Sequence, residues 1–387
     1  MLLLKNADVY APAALGRADI LAAGGRILRI EPGIQLPSAY VEEVDASGMV
    51  AVPGFIDGHV HMTGGGGEGG FATRTPELVL SDAIRGGVTT VVGCLGTDGV
   101  TRTPAGLLAK AKALEEEGLS TFIYTGHYGV PVQTLTGSIE RDLLLVDKVV
   151  GVGEVALSDH RSSQPTFDEF ARLAAEARRG GILSGKAGVV NVHMGDGRRG
   201  LALLRRLIEE TEIPGTQFLP THINRNPALF EEGIAHAKAG GFVDFTTSTV
   251  PAFLDQGEVK CSEGLRRMLD AGVDAASITF TSDGQGSLPD FDEHGRLRRL
   301  EIGRVLSLFA EVRDAVRDEG VPLAIALQVI TANPARILKL RGKGALAAGA
   351  DADLVLLDAP SLEIVGVVAK GRWLMKERAL VARGTFE

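Results

Sequence analysis

Four of the eight histidines follow apolar, strand-like runs directly: His59 and His61 in GFIDGHVHM, His193 in VNVHMGDG and His222 in LPTHINR. Asp283 in ITFTSDG occupies the same kind of position. Alternate residues of an extended segment point to one side, so His-x-His presents both imidazoles together. Four imidazoles and a carboxylate have the count and donor hardness to hold two borderline divalent cations, zinc foremost. A lone histidine after a strand is ordinarily a polar loop residue, and one His-x-His pair is a weak signal. Five candidate ligands after four separate runs are harder to assign to chance. His127 and His160 lack part of this context. His236 lies in a helical pattern and His294 in a polar loop, so both read as structural.

These side chains need elements that converge. Eight strand-like runs stand near Val50–Ile56, Val88–Gly93, Thr121–Tyr124, Gly151–Ala156, Val189–Val192, Gln217–Leu219, Val243–Thr246 and Ser277–Thr281. Between most of them lie segments with apolar residues at three- and four-residue spacing, such as AGLLAKAKALEEEG and TFDEFARLAAEARRGG. Several of these close on Gly or Gly-Gly, as helix C-termini prefer. Alternating strands and helices imply parallel pairing, because parallel strands need a crossover. Eight units predict an α/β fold of the (β/α)8 TIM-like barrel type, with an open doubly wound sheet as the alternative. In a barrel, the C-terminal strand ends meet at one mouth, which would collect the five candidates. The first 50 and last 40 or so residues read instead as short strands and turns. The expected division is therefore a small β-sandwich from residues 1–50 and 345–387 beside a barrel over 51–344.

Composition narrows the function. The chain has 387 residues, a net charge of −9 and 45% hydrophobic residues, enough for a packed core. The acidic balance argues against nucleic-acid or membrane-surface binding. No apolar run approaches a membrane span, and MLLLK is too short for a signal-peptide core. Cys94 and Cys261 cannot build a disulfide framework, so both are expected reduced in a cytoplasmic protein. Glycine, at 50 residues, is about twice as frequent as usual and spread along the chain, which suits many tight strand–helix turns.

The ordered motifs GFIDGHVHMTGGGGEGG, GCLGTDG, YGVPVQTLTGS, SDHRSS, HMGDG, THINR and TSDGQGS, followed by GALAAGADADLVLLD, resemble the amidohydrolase superfamily. Within it they are most similar to the isoaspartyl dipeptidases, and they cover most of the chain. The resemblance implies a binuclear metallohydrolase that cleaves β-aspartyl dipeptides through a metal-bridging hydroxide. His59, His61 and Asp283 would hold one cation, and His193 and His222 the other. Tyr128 would polarise the scissile carbonyl. Asp283 would act as general base and then general acid. Glu68 of the GGGGE segment would hold the substrate ammonium, helped by Thr97, with Gly66 letting the backbone approach closely. Arg161 and Arg225 would bind carboxylates through their guanidinium forks, with Ser287 as a further polar contact.

One departure stands out. A member of the family it resembles carries a lysine after the fourth strand, carboxylated on its side chain and bridging both metals, whereas seven residues before Arg161 this chain has Glu154. A carboxylate can bridge two cations with its two oxygens, so Glu154 is expected in that role, with Lys148 and Lys186 out of register. The resemblance also implies a homo-oligomer. The alternatives are an amidohydrolase acting on cyclic amides or N-acyl amino acids, and a non-catalytic scaffold. Glu68, Arg161 and Arg225 argue against a ring substrate, which needs no ammonium partner. The retained ligand set argues against a scaffold.

Overall fold

The computed structural model describes residues 1–291 and 297–387. Six parallel strands form a curled sheet in sequence order: β1 (Phe55–Val60), β2 (Val88–Gly93), β3 (Ser120–Thr125), β4 (Val149–Leu157), β5 (Val189–Met194) and β6 (Phe218–Thr221). A second parallel pair joins β7 (Val243–Thr246) to β8 (Ile278–Thr281). β7 packs beside β6, and β8 packs beside β1. The chain just past β8 returns to β1, where the His61 N–H donates to Gly284 O at 2.9 Å. β1, β2, β4 and β5 are buried along their whole length, as parallel strands covered on both faces must be.

The helices between the strands start where local chemistry allows. Pro104–Glu117 and Pro227–Lys238 each place proline in the first turn, behind Thr103 and Asn226 caps that accept from Gly106 and Leu229 N–H. Thr166 and Glu169 form a reciprocal capping box at the head of Phe167–Ser184. That helix runs through Gly180-Gly181 rather than ending there, against the sequence expectation. A Cβ on Gly180 would lie 2.7 Å from Leu143 Cδ1, and one on Gly181 2.7 Å from Ala187 O. The pair serves close packing, and the helix ends at Gly185, whose φ is +70°.

Both chain ends enter one nine-stranded mixed sheet. Met49–Pro53 runs parallel to Leu2–Tyr10 and antiparallel to Leu354–Asp358, so it stitches the two ends together. The apolar run near Val50–Ile56 is therefore two strands in two sheets. Hydrophobicity alone does not show the break, because both halves are buried. The change occurs at Gly54, where a Cβ would stand 2.2 Å from Thr89 Oγ1. A hairpin after β8, Ser287–Phe291 with Leu297–Ile302, was not foreseen from the sequence. His294 lies outside the described residues. Among the described residues, no helix is long and apolar enough to cross a membrane.

Candidate metal centre and substrate pocket

The C-terminal ends of β1, β4, β5, β6 and β8 bring six predicted side chains to one place. Glu154, on β4, is at its middle and essentially fully buried. Its Oε1 lies 3.3 Å from His61 Nε2, and its Oε2 lies 3.4 Å from His59 Nε2, 3.0 Å from His193 Nδ1 and 3.7 Å from His222 Nε2. Asp283 Oδ1 stands 3.0 Å from His61 Nε2 and 3.7 Å from His59 Nε2. His222 and Asp283 are the first or second residue past their strands and adopt left-handed backbone angles, φ 63° and 52°. Non-glycine residues rarely hold that conformation without tertiary support. Lys148 and Lys186 are elsewhere, donating to Thr121 O and Val146 O.

The surroundings settle which atoms face the centre. His59 Nδ1 donates to Asn191 Oδ1 at 3.0 Å, leaving Nε2 inward. His222 Nδ1 is hydrogen-bonded with the Thr246 hydroxyl, again leaving Nε2 inward. Among the described residues, His59 Nε2 and His222 Nε2 are buried without a hydrogen-bond partner. Two buried, unpartnered nitrogens beside a buried carboxylate are costly unless a cation satisfies them. His59, His61, Cys94 and Glu154 form one group able to hold a metal ion, and Glu154, His193 and His222 form another. The donor set fits borderline divalent cations.

Electrostatics follow from this crowding. Burial would raise the Glu154 pKa, but the imidazoles of His59, His193 and His222 hold it well below the usual carboxylate range. Burial lowers His222 to about 3, so its imidazole is neutral at working pH. Burial and the Glu154 charge push Tyr128 well above its ordinary value, which keeps its hydroxyl protonated. That hydroxyl lies 2.8 Å from His193 Nδ1.

Beside the centre opens a cavity of about 920 Å³, lined by Gly66, Glu68, Thr97, Tyr128, Arg161, Arg225 and Ser287 among others. Three of these meet at the carboxylate of a fourth, Glu68. Thr97 Oγ1 and Arg161 Nη1 both donate to Glu68 Oε1 at 3.2 Å, and Ser287 Oγ donates to Oε2 at 3.1 Å. Gly66, at φ 69°, has no room for a side chain, since a Cβ would come within 2.6 Å of Thr73 O. Arg225, also in the lining, lies 3.9 Å from Asp196 Oδ2. Among the described residues, the exposed His160, which lines the cavity, and the helical His236 belong to neither metal-donor group, nor does His127, which accepts from Gly129 N–H.

Sequence reasoning missed three residues here. Asp159 binds Arg161 and lies 3.1 Å from His193 Nε2. Asn191 orients His59, and Cys94 Sγ lies 3.9 Å from His61 Nδ1. Asn191 precedes His193 by two residues on β5, so strand alternation could have placed it on the same face. Asp159 lies inside the SDHRSS motif, but nothing local shows that it faces two partners.

A model of the amidohydrolase family matches residues 50–200 and 234–374. The chain belongs to the amidohydrolase family. This amidohydrolase is a hydrolase whose structure superposes on β-aspartyl dipeptidase from Fervidobacterium islandicum AW-1, solved in complex with β-Asp-Leu dipeptide. The TM-score is 0.91 at 49% identity, over 98% of each chain. Two curated relatives share less of the sequence. A dihydroorotase of Lactiplantibacillus plantarum is 25% identical over 95% of this chain and 92% of its own. An allantoinase of Deinococcus radiodurans is 27% identical over 92% of this chain and 86% of its own.

Proposed function

We propose that this amidohydrolase is a binuclear, zinc-dependent dipeptidase that hydrolyses β-aspartyl dipeptides. The observation that carries the reading is the placement of Glu68 and Arg161, 3.2 Å apart, at the edge of the His/Glu/Asp centre. A β-aspartyl dipeptide has one ammonium and two carboxylates, and the cavity offers both an anion and two guanidinium groups to receive them. A cyclic amide has no ammonium for Glu68 to receive, which disfavours a ring substrate. The β-Asp-Leu complex of the Fervidobacterium enzyme supports the same substrate class.

His59, His61 and Asp283 would hold one cation, His193 and His222 the other, with Glu154 between them. When bound, two such cations acidify a water and polarise the scissile carbonyl. Tyr128 then donates a hydrogen bond to the carbonyl oxygen as negative charge develops there. Asp283 takes a proton from the attacking water and passes it to the leaving amine. Glu68 pairs with the substrate ammonium, assisted by Thr97 and Ser287. Arg161 and Arg225 take the carboxylates, and Gly66 lets the backbone close on the ligand.

The same reading treats β1–β8 as a closed (β/α)8 barrel, supported by the β1–Gly284 pairing, over residues 51–344. The mixed sheet from 1–50 and 345–387 would then be a β-sandwich domain. Two buried free cysteines support a cytoplasmic location. Exposed Leu144, Leu145, Ile182 and Leu183 on two packed helices support a homo-oligomer.

The test is turnover of β-Asp-Leu beside α-Asp-Leu by zinc-loaded protein, with a chelated control. Cleavage of the β-linked peptide alone, lost on chelation, is expected. Two bound cations without β-Asp-Leu cleavage would move the assignment to another amide substrate. No cation and no cleavage would favour a scaffold.

A further inference from the structure

Cys94 follows β2 directly and is fully buried. Its backbone N–H donates to Val60 O at 3.0 Å. Val60 is the residue between His59 and His61, so the end of β2 is clamped against the His-x-His pair. The Cys94 Sγ lies 3.9 Å from His61 Nδ1 and 4.0 Å from Nε2. Together with one nitrogen each of His59 and His61 and one oxygen of Glu154, it forms a set of donor atoms all within 4.8 Å of one another. Independently, His59 Nε2, which faces the same space, is buried with no hydrogen-bond partner among the described residues.

The competing role is packing, since Cys94 also touches an apolar cluster with Ile56, Val92 and Tyr124. A packing residue there would do as well without a donor atom, and alanine or valine would fill that role. The approach of the loop favours the other role. Gly96, two residues on, is so close that a Cβ would lie 2.9 Å from His61 Cε1 and 3.2 Å from Glu154 Oε1. The GCLG segment therefore follows the donor cluster closely.

We propose that Cys94 is a protein ligand of the metal centre, bound on the His59–His61–Glu154 side. This rests on the metallohydrolase reading above. On cation binding the S–H bond breaks, its proton leaves to solvent, and a sulfur lone pair forms the bond to the cation. The thiolate adds an anion to those of Glu154 and Asp283 on that side, where Glu154 is shorter than a carboxylated lysine. It also adds a soft donor, which biases the centre toward zinc and cobalt and away from magnesium and calcium.

The experiment loads the chelated full-length protein with Co²⁺ and records its near-ultraviolet spectrum, for wild type, Cys94→Ser and Cys261→Ser. The Cys261 thiol donates to Thr246 O and belongs to no donor cluster among the described residues. A sulfur-to-cobalt charge-transfer band is expected in wild type and Cys261→Ser and lost in Cys94→Ser. Zinc K-edge absorption of the wild type, which needs no variant, should show a sulfur shell at about 2.3 Å. Cation bound through nitrogen and oxygen alone overturns the cysteine assignment and leaves the metallohydrolase reading standing. Failure to bind cobalt or zinc at all overturns both.

Discussion

Asp159 grips Arg161 with both carboxylate oxygens: Arg161 Nε donates to Oδ1 at 3.0 Å and Nη2 to Oδ2 at 2.7 Å. The same Oδ2 lies 3.1 Å from His193 Nε2. Burial would raise the Asp159 pKa, but His193 and Arg161 hold it well below the usual carboxylate range. One carboxylate thus orients a candidate substrate-binding guanidinium and a candidate metal ligand together. Outer carboxylates of this kind fix the tautomer and ring orientation of a ligating histidine.

Asp159→Asn keeps the shape and removes the charge. We expect kcat/KM for β-Asp-Leu to fall about 10- to 100-fold, with KM rising as Arg161 loosens. Steady-state kinetics with parallel metal analysis check this. Unchanged KM and unchanged metal content would mean that Asp159 only decorates the pocket wall.

Tyr128→Phe removes one hydroxyl from a buried ring. Loss of a single preorganised donor to a developing oxyanion costs about 10²–10³ in kcat. Metal content by mass spectrometry should not change. Wild-type turnover in the variant would exclude the carbonyl-polarising role.

Glu68→Gln tests specificity rather than chemistry. A charge-assisted hydrogen bond contributes about 1.5–3 kcal/mol, so kcat/KM for β-Asp-Leu should fall roughly 10- to 100-fold. Succinyl-leucine, which lacks the ammonium, should lose far less. Equal losses for both compounds would show that Glu68 holds Arg161, Thr97 and Ser287 in place and does not read the ammonium.

Asp244, which is not part of the cavity lining, provides a pH prediction. It is fully buried, and burial raises its pKa to about 6 despite hydroxyl donors from Thr221, Thr279 and Thr281. A carboxyl whose folded pKa lies above its unfolded value adds stability that is complete below about pH 4 and is lost as pH rises through 6. Asp244→Asn removes that dependence. Between pH 4 and pH 7, the variant should gain on wild type by up to roughly 3 kcal/mol, read as urea unfolding of chelated protein. A pH-independent difference would contradict the buried-charge account.

Much of the centre was legible in the chain because strand alternation and strand ends are local properties. His-x-His declares a shared face at two-residue spacing, and His193, His222 and Asp283 announce themselves by following apolar runs. The parallel architecture follows from the strand–helix alternation. The break at Gly54 could not be read, because apolar residues continue through it and only the nearby Thr89 explains the glycine. Gly180-Gly181 looked like a helix end for the same reason: a glycine's role depends on what would meet its Cβ.

What only the tertiary structure decided is which side chains face one another across strands far apart in sequence. Glu154 meets His59, His61, His193 and His222 because curling of the parallel sheet brings the ends of β1, β4, β5 and β6 to one point. Asp159 reaches both Arg161 and His193, and Cys94 comes against His61, through backbone pairings that no residue type encodes. The sequence determined the donors and their order along the chain. Their distances depend on strand register and sheet curvature, which are set by packing of the whole core and not by any local run of residues.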